Sequence, residues 1–159
     1  MKSTIGIDLG GTRIKAVAID ADGHILHQFY LPTQDGGGAI WKQAVWDAVN
    51  LLLDILRTGA CTIGISAPGL PNESNTAIAF MPGRMQGLEN LVWSDFLQQK
   101  AFVLNDAVAA MMAEAKFGAA RNRKNVVMLT LGTGVGGAIL IDGKPYQGSF
   151  SKAGHIGHM

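Results

Sequence analysis

A single cysteine in 159 residues, Cys61, cannot form a disulfide within the chain, and no cysteine cluster can hold a metal by itself. A reducing cytoplasm is therefore the simplest expected home. Long apolar runs are lacking too: none reaches the roughly 18 residues of a membrane span. The opening Met1-Lys2-Ser3-Thr4-Ile5-Gly6-Ile7-Asp8 meets an acidic residue too early for a signal peptide. Neither secretion nor a membrane is expected. Charge of one sign is also missing, with 13 Lys+Arg against 12 Asp+Glu. The one basic run, Arg121-Asn122-Arg123-Lys124, reads as a solvated loop. No electrostatic footprint is left for a nucleic-acid backbone.

What is present describes a globular chain. The hydrophobic fraction is 48%, enough for one sizeable core. Twenty-one glycines are grouped at Gly10-Gly11, Gly36 to Gly38 and Gly132 to Gly137, which marks tight turns or close backbone approach. Short apolar runs predict strands over Thr4–Asp8, Arg13–Asp20 and Ile25–Leu31. From Ala39 to Arg57 the apolar residues fall in pairs three to four apart, the spacing of one broad helix face, and Gly59 is expected to end that helix. Thr62–Ser66 predicts a buried strand running into Pro68-Gly69. Beyond it, Leu91–Gln99 predicts a short helix, Ala101–Leu104 a strand, Asp106–Phe117 a second clear helix, and Asn125–Leu131 with Val135–Ile141 two more strands. This order of elements is that of an α/β fold, a mixed sheet with flanking helices.

Three segments carry chemistry. Asp8-Leu9-Gly10-Gly11-Thr12-Arg13-Ile14-Lys15 joins two strands through a turn with no side chains where an anion would approach, so that backbone N–H groups can cradle it. Asp8, at the strand end, is placed to hold Mg²⁺ directly or through water. Thr12 and Lys15 offer a hydroxyl and a cation to phosphate oxygens. The plainer alternative is an ordinary Gly-Gly hairpin with a charged rim. The second segment, Gly132-Thr133-Gly134-Val135-Gly136-Gly137, contains the G-x-G-x-x-G string of dinucleotide enzymes. That reading fails because the glycines lead into a strand rather than opening a helix. A second phosphate turn fits better. The third is Asn105-Asp106, where a strand hands over to a helix whose N-terminus favours a carboxylate. Helix capping is the ordinary role there. A carboxylate so placed can also orient a hydroxyl and take its proton during attack on a phosphoryl group.

In order and spacing, Ile7-Asp8-Leu9-Gly10-Gly11-Thr12, Gly64-Ile65-Ser66-Ala67-Pro68-Gly69, Asn105-Asp106, Leu131 to Gly137 and Ala153-Gly154-His155-Ile156-Gly157-His158 resemble the ROK family of sugar kinases and sugar-responsive regulators. The resemblance covers essentially the whole chain. It implies a ribonuclease-H-like, actin-like ATPase fold and transfer of the ATP γ-phosphoryl group, with Mg²⁺, to a hydroxyl of a hexose such as glucose. It implies Asp106 as the base, with Pro68, Gly69, Asn105, His155 and His158 on the sugar side. Asp8, Gly10, Gly11, Thr12 and Lys15 would meet the phosphates from one side, and Gly132, Thr133 and Gly134 from the other. Residues 1–142 would form the N-terminal actin-like domain, and 143–159 the incomplete start of a second half. The chain is accordingly expected to be a fragment, inactive or nearly so by itself.

Two departures stand out. The family usually carries Glu-x-Gly-His where this chain has His155-Ile156-Gly157-His158, so a carboxylate expected on the sugar hydroxyls is replaced by an imidazole. The family's second half normally supplies most of the adenosine pocket and the cysteines that hold a structural Zn²⁺ with the histidine matching His158. Cys61 alone cannot build that zinc site. Two other classes compete: a sugar-sensing regulator of the same family and an actin-like structural or chaperone ATPase. The first would place a helix-turn-helix ahead of the first phosphate motif, which here begins by Ile5. The second has no need of Asn105-Asp106 or of the His-x-Gly-His block. Assembly as a homo-oligomer is left open. Arg84 and Glu89 are candidates for the edge of the sugar site. Gly36 to Gly38, lacking a following Lys or Ser/Thr, reads as a connection, and His24 and His27 as plain surface or strand residues.

Overall fold

The computed structural model describes residues 3–131, 134–155 and 157. The chain divides into two compact units, Met1–Leu104 and Asn105–Met159. The boundary read from the sequence at residue 142 lies inside the second.

The first unit opens with β1 (Thr4–Leu9), β2 (Arg13–Ile19) and β3 (Ile25–Pro32), an antiparallel meander. Strand side chains alternate between faces. Ile5, Ile7 and Leu9 of β1 and Ile14, Ala16 and Ala18 of β2 therefore enter the core together, while Gly6 and Asp8 stay on the other face. Helix α1 (Ile40–Leu56) follows, and β4 (Thr62–Ala67) returns parallel to β1, with Thr4 opposite Thr62 and Asp8 opposite Ser66. A parallel return requires a crossover, which α1 supplies. Then come β5 (Leu70–Pro71), β6 (Ile78–Phe80), the short α2 (Trp93–Leu97) and β7 (Lys100–Asn105). The main sheet has the order β3-β2-β1-β4-β7, and β5 pairs with β6 alone.

Trp41, Val45, Ala48, Val49 and Leu52 recur at helical spacing on α1 and are buried against β1, β2 and β3. Each such large apolar side chain contributes about 1.5–3 kcal/mol by leaving water. The Trp41 ring meets Trp93 of α2 at 6.1 Å, tilted, and Trp93 meets Phe96 edge-on at 6.2 Å. Helix α1 stops two residues short of Gly59. Arg57 takes the left-handed conformation (φ 51°), and its N–H turns back to Asp54 while that of Thr58 reaches Leu53. These bonds satisfy carbonyls that the helix end leaves open.

In the second unit, α3 (Asp106–Phe117) precedes β8 (Val126–Leu131), β9 (Val135–Ile141) and β10 (Lys144–Pro145), which form a sheet of order β10-β9-β8. Ala107, Val108 and Met111 are the buried residues of α3, which packs on β9 and β8. Alternate residues of β8, Val127, Leu129 and Leu131, are exposed. The strands and helices expected from the sequence all form. Only β5, β6 and β10 were not foreseen, being two or three residues long and so too short for periodicity to reveal. No helix among the described residues is long and apolar enough to cross a membrane.

Candidate functional site

In the first unit the β1–β2 connection is a tight turn closed by the Gly10 N–H donating to the Arg13 carbonyl at 3.1 Å. A Cβ on Gly10 would stand 2.8 Å from that same carbonyl oxygen, so the turn requires glycine there. Thr33, fully buried at the end of β3, pins the turn from beneath. Its hydroxyl donates to the Gly10 carbonyl at 2.6 Å and its N–H to the Thr12 carbonyl at 3.1 Å. With the carbonyls engaged, the N–H groups of Gly11 and Thr12 are left over. Neither donates to a protein acceptor among the described residues. Consecutive free N–H groups on a turn are the donor set an anion needs, so the segment fits a phosphate.

Asp8, Lys15 and Ser66 lie in one row across β2, β1 and β4, since Asp8 pairs with Lys15 on one side and Ser66 on the other. The Ser66 hydroxyl donates to Asp8 Oδ1 at 2.8 Å, which leaves Oδ2 without a hydrogen bond among the described residues. A carboxylate with one oxygen fixed and the other exposed suits a hydrated divalent cation. Lys15 Nζ sits 5.8 Å from the ring centre of Tyr30, its neighbour on β3, and the Arg13 guanidinium stacks over the same ring at 5.0 Å. Ser66 and Thr33 were not singled out from the sequence. The strand parity that aligns Ser66 with Asp8 was the available signal; nothing local marked Thr33.

Pro68-Gly69 joins β4 to β5. Gly69 has φ 95°, and a Cβ there would stand 2.7 Å from the Phe80 carbonyl, 2.8 Å from Ile78 Cγ2 and 2.9 Å from Met81 Cβ. The segment thus rests directly on β6 and the start of the loop from Met81 to Glu89. A pocket of about 420 Å³ opens along this loop, lined by Asp35, Met81, Arg84, Gln86 and Glu89 among others. The Glu89 carboxylate accepts the Met81 N–H at 2.6 Å and so closes the loop on itself.

In the second unit, Asn105 caps α3. Its Oδ1 accepts the Ala107 N–H at 3.0 Å and the residue is 6% exposed, the ordinary capping role foreseen for this junction. Asp106 is exposed; its Oδ1 accepts the same N–H at 2.8 Å, while Oδ2 takes no hydrogen bond among the described residues. Next to it, Ala107 Cβ lies 3.9 Å from where a Cβ on Gly136 would stand. On β9, Gly137 meets the segment that carries His155: a Cβ on Gly137 would stand 2.6 Å from the Gly154 carbonyl. Gly154 itself has φ 92°. The glycines of β9 therefore let both the α3 N-terminus and the residue before His155 approach one strand. Gly134 is exposed with open space around it. Gly132, Thr133 and His158 lie outside the described residues.

Two other groups lie apart from the segments above in sequence. Cys61 is buried in the first unit, where its thiol donates to the Ser3 carbonyl at 3.0 Å, and burial pushes its pKa up. Asp20, Asp22 and His24 gather their ligand atoms within 4.8 Å at the β2–β3 turn. There Asp20 Oδ1 accepts the N–H groups of Asp22 and His24, both at 2.9 Å. The bond from the His24 backbone is the main reason its carboxyl titrates below the ordinary value.

A mixed five-stranded sheet with a helical crossover, opened by an antiparallel pair joined through Gly10-Gly11, defines an α/β chain of the ribonuclease-H-like, actin-like class. The chain belongs to the ROK family, whose match runs over residues 4–159. It is 35% identical to a glucokinase of Streptomyces coelicolor over 164 residues, covering 100% of this chain and 50% of that protein. It is 32% identical to an N-acetylmannosamine kinase of Citrobacter koseri over 160 residues, 98% of this chain and 53% of the relative. Among solved structures, a ROK family glucokinase from Streptomyces griseus in complex with glucose and AMPPNP superposes with a TM-score of 0.83 at 32% identity, covering 99% of this chain and 50% of that one. The chain thus spans about half the length of the curated relatives it matches.

Proposed function

We propose that this chain is the phosphate- and sugar-binding part of an ATP-dependent kinase acting on a hydroxyl of a hexose such as glucose. The observation that carries the reading is the likeness along 99% of the chain to a glucokinase whose structure holds glucose and AMPPNP. The free N–H groups of Gly11 and Thr12 support a phosphate role for the first turn. Gly132, Thr133 and Gly134 would meet the phosphates from a second turn. Mg²⁺ would be held through water by Asp8 and would neutralise charge on the phosphate oxygens. Pro68 and Gly69, and likewise Asn105, His155 and His158, would be the residues that meet the sugar. The roles of Asn105 and Asp106 separate: Asn105 fixes the start of α3, and Asp106, with one oxygen held and one open, takes the proton of the attacking hydroxyl. Adenosine contacts and a structural Zn²⁺ at His158 would come from a second half of the fold.

The test pairs this chain with a family second half and replaces Asp106 by Asn, which keeps shape but cannot accept the proton. Turnover is expected to fall by about 10²–10⁴-fold, the range of general-base loss, with sugar binding largely retained. Near-normal phosphorylation by the Asn variant would overturn the assignment. The chain alone, given ATP, Mg²⁺ and a panel of hexoses, should form no sugar phosphate above background.

A further inference from the structure

The loop from Met81 to Glu89 carries Arg84, which the sequence offered as a candidate for the edge of the sugar site. Arg84 is exposed, yet its position is defined: its guanidinium fills the space that a side chain at Gly11 would occupy, with Cζ 3.4 Å from the position of such a Cβ. The loop that presents it is held at several points. The Met81 N–H donates to Glu89 at 2.6 Å and the Met85 N–H to Asp35 at 2.9 Å. Trp41 Nε1 reaches the Gln86 carbonyl at 3.2 Å. Met85 and Leu88, which follow Arg84 in the loop, are buried. Asp35 and Glu89 line the same pocket as Arg84, but they are engaged by backbone N–H groups. Among the described residues the guanidinium forms no ion pair, hydrogen bond or ring contact.

An unpaired guanidinium is thus held beside the turn whose Gly11 and Thr12 N–H groups also lack acceptors. We infer that Arg84 is a further anion-binding residue, closing over the β1–β2 turn to hold the terminal phosphoryl oxygens of a polyphosphate seated there. The inference rests on the phosphate role proposed for that turn. Arginine suits the task because its planar fork binds two phosphate oxygens at once and stays charged at any working pH. The arrangement also gives Gly11 a second reason to be glycine, since any side chain there would push the guanidinium away.

The test titrates ¹⁵N-labelled chain with inorganic triphosphate at constant ionic strength and follows the amide resonances. In the parent, the Gly11 and Thr12 amides should shift. Arg84→Met should weaken the fitted affinity roughly tenfold, the loss expected of one charge-assisted contact, and Arg84→Lys by less. Lys100→Met, which removes an exposed cation at the start of β7, should leave affinity unchanged. If Arg84→Met binds as the parent does, or Lys100→Met weakens binding equally, Arg84 is no specific ligand and the inference falls while the phosphate turn stands. If the parent amides do not respond to triphosphate, the turn reading fails and the inference fails with it.

Discussion

Replacing Gly69 by alanine should be among the most damaging single-methyl additions in the first unit. The residue has φ 95°, where an L side chain is strained. Holding a non-glycine residue in such a region costs about 1–3 kcal/mol. The added Cβ would also stand 2.7 Å from the Phe80 carbonyl oxygen and under 3 Å from Ile78 and Met81. One of these neighbours is backbone and another is the fully buried Ile78, so neither yields as a flexible surface chain would. Overpacking of this kind adds about 1–3 kcal/mol. Together they give a loss of about 2–6 kcal/mol, which for a chain of this length lowers Tm by about 4–24 °C, at roughly 2–4 °C per kcal/mol. The assay is thermal unfolding followed by circular dichroism, with Gly64→Ala as the control. Gly64 lies on β4 in the same unit, without a positive φ, and a Cβ there meets nothing within 4 Å. It should move Tm by no more than about 2 °C. The reasoning is refuted if Gly69→Ala melts within about 2 °C of the parent, or if the two variants lose stability alike.

Two further outcomes are expected. In a protein that pairs this chain with a family second half, His155→Glu should tighten hexose binding, because a carboxylate accepts from two neighbouring hydroxyls where a neutral imidazole offers one donor and one acceptor; unchanged affinity by calorimetry removes His155 from the sugar contacts. Cys61, whose thiol is buried and raised in pKa, should react with iodoacetamide at pH 8 at least roughly tenfold more slowly in the folded chain than in urea. The sign follows from proton binding: the folded chain holds this proton more tightly, so its contribution to stability is whole below the ordinary thiol pKa and is lost as pH rises through the folded value. Equal alkylation rates in the two states would contradict the burial.

How far the sequence reached depended on the range of the interaction involved. Alternation in Thr4–Leu9 and Arg13–Ile19, and the helical spacing from Trp41 to Leu52, are local patterns, so the strands, the long helix and the fold class were legible from residue order alone. The Gly10-Gly11 turn and the strand-to-helix handover at Asn105-Asp106 were legible for the same reason. Which side-chain oxygens are engaged at that handover was not, because that depends on side-chain orientation. That strand pairing sets Tyr30 beside Lys15, with the ammonium over its ring, was not legible either. Thr33 reaches Gly10 across 23 residues, and Arg84 reaches Gly11 across a longer stretch of chain. No periodicity encodes such meetings. They arise only when the sheet register and the loop anchors have placed distant segments side by side.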